Sequence, residues 1–510
     1  MFKRFIKEHY IILIALLCLI ISRIPCVFFE LHGINFDEAA IDYNIFCISE
    51  FGTDRYGNVF PLYFANAASG QSALYVYLGV LLTKIFGFST AACRGVKLIG
   101  EIVTFIFGGL LIRNVFNRRT EWIFYFLYII CPYFYKMTGM SYDCDMVIPV
   151  FVLCMYLAER CRNHNKAGGY IGLGICLGLL SYSYIIAVFM IPLFIVVQLI
   201  FGWNKRYVLI ETGVAFVISL PIFWYLLTLV GIAPAVYTDF CTIAPVSAYR
   251  KKDFGFSLNN IINLKYMVVT DTQSDFAGSR AFGTLYYLSW IFIPVGIFRI
   301  IRDIKIQENY RWFCGFFAAA FIPLLFIVDA TTYNFTIVYF FLLAFTAAGT
   351  DYVAEHFRTI VILAGAGYAV MFGFFLKEYI QKEPYIYGDN KLMYVLEAVG
   401  DEDKVMLDTT GVFQPECYIG IKFLMNPCMI EYDEYGRGIS AGSIYFNDAD
   451  NYKDYNIILI RDEVDYEYET YGGGGLTDIT AAGLADTLSA AGYVLHKDNG
   501  YYIYSKGELR

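Results

Sequence analysis

The chain has 510 residues, 58% of them hydrophobic and 19% aromatic, with a mean hydropathy of +0.53. Those values exclude an ordinary soluble enzyme and place the chain among polytopic membrane proteins. The net charge of −8 is shared unevenly: residues 1–381 carry 28 Lys/Arg against 23 Asp/Glu, and residues 382–510 carry 10 against 23. A basic, hydrophobic body followed by an acidic tail implies two domains. The first is a membrane domain, 1–381, with outer loops at 30–90 and 232–283, and the second an extracytoplasmic domain, 382–510. Nothing in this balance suggests nucleic acid.

Lys3, Arg4 and Lys7 precede the apolar run Tyr10–Phe29 and hold that end of the first span in the cytoplasm. The run is too long for a signal-peptide core and lacks a clear small-residue cleavage site, so it reads as a retained anchor. The stretch NFDEAAIDYNIF then brings Asp37 and Glu38 out on the far face. A carboxylate there suits deprotonation of an acceptor hydroxyl beside a lipid-borne substrate. A solvated loop acid or a helix N-cap is the plainer alternative. Ser72–Phe88 is apolar but would break the charge alternation if it spanned. It predicts a helix lying in the outer interface, with Tyr75 and Tyr77 at headgroup level.

Further apolar windows lie near 91–113, 121–137, 144–160, 168–183, 184–202, 206–231, 284–301, 312–329, 334–350 and 358–376. Several fall short of the roughly 20 residues an untilted span needs. The basic groups Arg113/Arg118/Arg119, Arg160/Arg162/Lys166, Lys205/Arg206, Arg299/Arg302/Lys305/Arg311 and Arg358 occupy alternate loops, on the side of the N-terminus. About eleven spans follow, with the C-terminal domain outside.

Within the second span, Lys97 and Glu101 are four apart and are expected to pair. Asp143 and Asp145 open the fourth span. In extended backbone they would share one side and face a cation or sugar hydroxyls; helix N-terminal acids are the alternative. Lys84, Arg94, Arg250, Lys251, Lys252 and Arg280 map to the outer side. Arg94 and Arg280 flank spans and are the preferred phosphate contacts, because a guanidinium forks onto phosphate oxygens. Arg250–Lys252 reads equally as a solvated patch. Eleven of thirteen cysteines precede residue 382, mostly in apolar runs, and no CxxC occurs. Cys417 and Cys428 could pair if the tail is outside. The tail reads as a small α/β domain, with helices at Leu392–Val399 and Ile479–Ala491 and strands at Lys404–Asp408 and Asn456–Arg461. Gly472–Gly475 forms a loop with no phosphate-cradle spacing.

Several stretches together carry a resemblance: FDEAAIDYNIF at 36–46, GTDRYGNVFPLYF at 52–64, SGQSALYVYL at 69–78, GMSYDCDMVIP at 139–149, GLLSYSYIIAVFMIPLF at 178–194, FGTLYYLS at 282–289 and TYNFTIVYFFLLAFTAAG at 332–349. Over about the first 350 residues the chain resembles the GT-C superfamily of membrane glycosyltransferases, among them bacterial relatives of protein O-mannosyltransferases and the lipid A aminoarabinose transferase. The resemblance implies an α-helical polytopic fold and a sugar donor carried on a polyprenyl phosphate. It also implies inversion by direct attack of the acceptor. Asp37 becomes the catalytic carboxylate, with Glu38 orienting the acceptor or binding a divalent cation that Asp143 could share with Asp37. Asp143, Asp145, Arg94, Arg280, Gln71, Tyr75 and Lys84 become substrate contacts. The acceptor (protein, lipid or wall polymer) is not encoded legibly. Gln71 and Phe335 stand where many relatives carry a basic residue, so phosphate contacts must come from elsewhere. A transporter or flippase of a lipid-linked sugar is the competing reading, against which stands the lack of an internal repeat.

Overall fold

The computed structural model describes residues 2–29, 33–66, 69–245, 255–264, 277–279, 281–327, 334–381, 392, 395–396, 403–409, 414–432, 438–461, 488–498 and 501–506. The chain divides into two compact units, one of residues 1–31 and 61–383, the other of residues 32–60 and 384–510. The second unit therefore takes in 32–60, a segment grouped above with the membrane domain on sequence alone.

Helices run in chain order as α1 (Phe2–Phe28), α2 (Phe36–Phe51), α3 (Ala73–Phe86), α4 (Thr90–Val115), α5 (Arg118–Ile130), α6 (Pro132–Met137), α7 (Val147–His164) and α8 (Ala167–Ser183). They continue as α9 (Ala187–Ile200), α10 (Lys205–Leu229), α11 (Asn259–Asn263), α12 (Tyr287–Asp303), α13 (Glu308–Phe321), α14 (Thr336–His356), α15 (Arg358–Gln381) and α16 (Pro415–Phe423).

All of these except α2 and α16 lie in the first unit, over the apolar windows and the expected interfacial stretch, save the short α11, which falls in the expected outer loop 232–283. Among the described residues, five helices are long and apolar enough to cross a membrane, which marks an integral membrane protein. Their outward faces are apolar, as lipid requires: Leu209, Phe216 and Val217 on α10 and Ile362, Leu363 and Phe374 on α15 are exposed. The window at 121–137 holds two helices rather than one. Pro132 has no amide hydrogen to continue α5, and Cys131 takes an extended conformation at the break.

Small residues set the tightest crossing, between α12 and α14. A Cβ on Gly296 would stand 2.0 Å from Phe345 O, and one on Gly349 2.1 Å from Phe292 O, so the two backbones touch. Near the ends of the same helices, Asp351 is fully buried. Its carboxylate accepts from Arg299 Nη1 (2.7 Å), Asn117 Nδ2 (2.8 Å), Thr120 Oγ1 (2.9 Å) and Arg119. Two arginines that signal the cytoplasmic side in the sequence thus also clamp α5, α12 and α14 together. Tyr63–Asn66 (β1) and Ser69–Ser72 (β2) form a hairpin that delivers the chain to α3, and Val236–Tyr237 (β3) pairs with Thr242–Ile243 (β4).

Glu211 of α10 is buried against α9. Gln198 Nε2 donates to its Oε2 at 3.2 Å, while Oε1 has no hydrogen-bond partner among the described residues. Replacing Glu211 by Gln keeps the shape and an acceptor for Gln198. Thermal stability in detergent is expected to hold or rise; a loss above about 2 kcal/mol would show that the carboxyl itself is needed.

The second unit is built on a seven-stranded sheet in the order β10-β11-β9-β5-β8-β7-β6. Its strands are β5 (Val405–Leu407), β6 (Ile430–Tyr432), β7 (Gly438–Ala441), β8 (Ile444–Phe446), β9 (Ile457–Arg461), β10 (Val494–Asp498) and β11 (Tyr501–Ser505). The central strand β5 is buried throughout and runs parallel to β8 and β9; the outer pairs are antiparallel. The sequence anticipates β5 and β9. The expected helices at 392–399 and 479–491 and the Gly472–Gly475 loop lie wholly or largely outside the described residues. Cys417 is buried and Cys428 exposed, each a free thiol rather than half of a disulfide.

Candidate functional site

In the second unit the acid pair opens α2. Asn35 is the N-cap: its Oδ1 accepts from Asp37 N at 2.9 Å, and its own amide donates to Glu38 Oε2 at 3.4 Å. This reciprocal arrangement is a capping box, with Glu38 at the third helical position. Glu38 is completely buried and its carboxylate serves the turn. Asp37 is only partly buried. Successive helical side chains diverge by about 100°, so the pair does not act as one proton-sharing dyad. Glu38 takes the capping role that the sequence held as the plainer alternative, and Asp37 is the less buried of the two acids.

The turn after α2 explains GTDRYGNV. Asp54 Oδ1 accepts from the amides of Tyr56 (2.9 Å) and Asn58 (2.8 Å), and Gly57 takes the left-handed conformation the turn needs. Arg55 is fully buried, its guanidinium 4.9 Å from the Tyr56 ring centroid and donating to Gln414 Oε1 and Cys417 Sγ. Burial pushes the Cys417 thiol up to about 12, and Arg55 opposes that rise. The thiol therefore stays protonated at neutral pH.

In the first unit the remaining acids form buried clusters whose pairing differs from expectation. Residues 143–146 are a 3-10 turn, not extended chain, so Asp143 and Asp145 point apart. Asp143 Oδ2 accepts from Ser72 N at 2.5 Å, tying the turn to the head of α3. Asp145 is held by Lys97 Nζ and by Tyr133 OH, both at 2.7 Å. Lys97 thus pairs across helices and not with Glu101 on its own helix. Glu101 pairs instead with Arg23 of α1 at 3.0 Å and accepts from Thr138 Oγ1 at 2.5 Å. Lys97, Glu101, Asp145, Thr104 and Tyr128 line one small cavity. Two opposed ion pairs sharing a cavity keep its net charge near zero, the arrangement low-dielectric surroundings favour.

The other expected contacts are placed as follows. Arg94 is buried in the second turn of α4, with Nη1 donating to Cys26 O at 3.3 Å, rather than standing at the surface. Gln71 is buried in β2. Tyr75 is fully buried and donates to Cys93 O at 3.0 Å, and Tyr77 to Pro61 O at 2.8 Å, so neither hydroxyl is a bare headgroup anchor. Lys84 is exposed. Tyr184 OH accepts from Asn334 Nδ2 at 2.6 Å, joining the stretches at 178–194 and 332–349 that carry the resemblance. Arg280 and Arg250–Lys252 lie outside the described residues. Among the described residues no three His, Cys, Asp or Glu side chains converge as metal ligands. Sequence reasoning missed Arg23, Tyr133 and Lys136; Lys136 is buried with Nζ donating to Gly278 O at 3.1 Å. A charged residue inside an apolar run was the available signal for Arg23 and Lys136.

Residues 71–234 match the family of dolichyl-phosphate-mannose-protein mannosyltransferases. ArnT from Cupriavidus metallidurans bound to undecaprenyl phosphate superposes with a TM-score of 0.59 at 11% identity, over 97% of each chain. Its apo form gives 0.57 at 10% identity over 98% of each. The fold is that of the GT-C glycosyltransferases. The Archaeoglobus fulgidus oligosaccharyltransferase in complex with Zn and sulfate shares it as well, with a TM-score of 0.55 at 16% identity over 97% of this chain and 72% of that one. No curated protein matches the chain by sequence. The GT-C architecture thus extends over nearly the whole chain, whereas the family match falls on β2 through α10 and the loop that follows.

Proposed function

We propose that this protein is an inverting glycosyltransferase that moves a sugar from a polyprenyl-phosphate donor to an acceptor on the outer face of the cytoplasmic membrane. In that orientation the N-terminus is inside and the sheet unit outside. The observation carrying the reading is Asp37: a partly exposed carboxylate at the tip of a capped helix, in a chain with the GT-C fold. The alternation of basic loops supports the orientation, and the undecaprenyl phosphate held by ArnT supports the donor class.

Asp37 takes the proton from the acceptor hydroxyl as its oxygen attacks the anomeric carbon from the face opposite the phosphate. The bond from that carbon to the phosphate oxygen breaks, and polyprenyl phosphate departs with the electron pair. Arg94 is the candidate to hold that anionic leaving group. Buried guanidinium–phosphate contacts are strong, so Arg94→Ala is expected to weaken polyprenyl phosphate binding about tenfold or more in reconstituted vesicles. Unchanged affinity in a folded Arg94→Ala protein would remove that assignment.

The deciding assay supplies sealed vesicles holding the purified protein with a polyprenyl-phosphate-linked sugar and envelope acceptors. A glycosylated product that depends on the protein supports transfer. Lipid-linked sugar crossing the bilayer with no product formed would overturn it in favour of a flippase.

A further inference from the structure

One nine-residue helix of the tail grips the acid-bearing segment at three places. At its head, Tyr418 OH donates to Ile34 O at 3.1 Å, one residue before the N-cap Asn35. At its middle, Tyr43 OH donates to Met425 O at 3.1 Å, and the Tyr43 ring lies over Gly420 so closely that a Cβ there would stand 2.4 Å from it. At its foot, Arg55 reaches Cys417 and Gln414 while its backbone amide donates to Asn44 Oδ1 at 3.3 Å.

Both ends of α16 adopt unusual backbone. Gln414 (φ 52°) and Leu424 (φ 49°) are non-glycine residues in the left-handed region. Such conformations persist only where the surroundings over-determine them. Here they aim the Gln414 side chain at Arg55 and turn the chain so that Met425 N bonds back to Gly420 O at 3.0 Å. Helix α2 is buried from Glu38 to Ser49 without interruption.

We infer that α16 is the positioning element of the transfer reaction: Tyr418, Gly420 and Arg55 fix α2 so that Asp37 meets its acceptor in one orientation. The inference rests on the assignment of Asp37 above and gives the acidic tail a role in turnover rather than in binding partners or in bulk stability. Misplacing a catalytic group by about 1 Å can cost about 100-fold in rate, so loss of one grip is enough to register.

The test uses the full chain in lipid vesicles. Tyr418→Phe deletes the bond to Ile34 O, and Gly420→Ala displaces the Tyr43 ring. Tyr493→Phe is the control: its hydroxyl bonds Tyr452 O and Tyr455 O within the sheet core and touches nothing in 33–60 among the described contacts. Hydrogen exchange over residues 36–46 is measured beside kcat and donor KM. Both test variants are expected to speed exchange there and to lower kcat about 10- to 100-fold with donor KM unchanged, while the control does neither. Wild-type kcat in both test variants overturns the inference, as does an equal loss in Tyr493→Phe. An active Asp37→Asn protein with undisturbed exchange over 36–46 would instead remove the base itself, and this inference with it.

Discussion

Asp37→Asn is expected to lower the rate of sugar transfer by about 10²- to 10⁴-fold, the usual worth of a positioned general base. The substitution is nearly isosteric. The Asp37 backbone amide still reaches Asn35 Oδ1, and Glu38 still closes the capping box, so α2 should keep its cap and the protein its expression and thermal midpoint. Glu38→Gln makes the contrast. A glutamine at the third helical position supports the same box, so that variant should retain most of its activity. Initial rates in vesicles for both variants, with donor held constant, separate the roles. Full transfer by Asp37→Asn would exclude it as the base; an equal collapse in Glu38→Gln would show that the two acids act together.

Lys97→Met is expected to destabilise the helical unit by about 3–5 kcal/mol, because it leaves the Asp145 carboxylate buried without its cation. Asp145 is 1% exposed, and Tyr133 OH is its other donor among the described residues, at 2.7 Å. Asp145→Leu should cost a similar amount by stranding Lys97. The double variant should lie well above the sum of the two, since replacing a whole buried ion pair with apolar side chains is often neutral. Thermal unfolding of the four proteins in detergent closes the cycle. Strictly additive losses would mean that Lys97 and Asp145 do not sense each other. Residual transfer activity, normalised to folded protein, would show whether the 3-10 turn bearing Asp143 also depends on the pair.

Much of the architecture was legible because lipid imposes a simple rule. A helix that crosses a bilayer must be apolar along its length, and its charges collect at its ends. The windows around α4, α10, α14 and α15 follow from that rule. Strands β5 and β9 were visible as short apolar runs between turn-formers. What stayed hidden was pairing over distance. Lys97 and Glu101 stand one turn apart, which suggests a bond, yet their partners are Asp145, 48 positions on, and Arg23, 78 positions back. Local spacing could not show that two opposite charges from other helices were better placed. The facing of Asp143 and Asp145 depends on backbone conformation, which local sequence left open between extended chain and helix start, and the 3-10 turn sends the two apart. Helix α16 was missed because cysteine, glycine and two β-branched isoleucines weaken its pattern; Pro415 at the first helical position was the one clear start signal.

Tyr43 and Met425 are separated by 382 positions, yet they belong to the same compact body. A ribosome adds roughly 5–20 residues per second, so the early segment waits tens of seconds for its mate. Throughout that interval the apolar helices can be threaded into the bilayer while the 33–60 segment lacks its bonds to Tyr418 and Met425. A nascent chain halted at residue 383 would hold the whole helical unit and α2 but none of α16. The body that holds α2 therefore closes only after the helices of the other unit have been made.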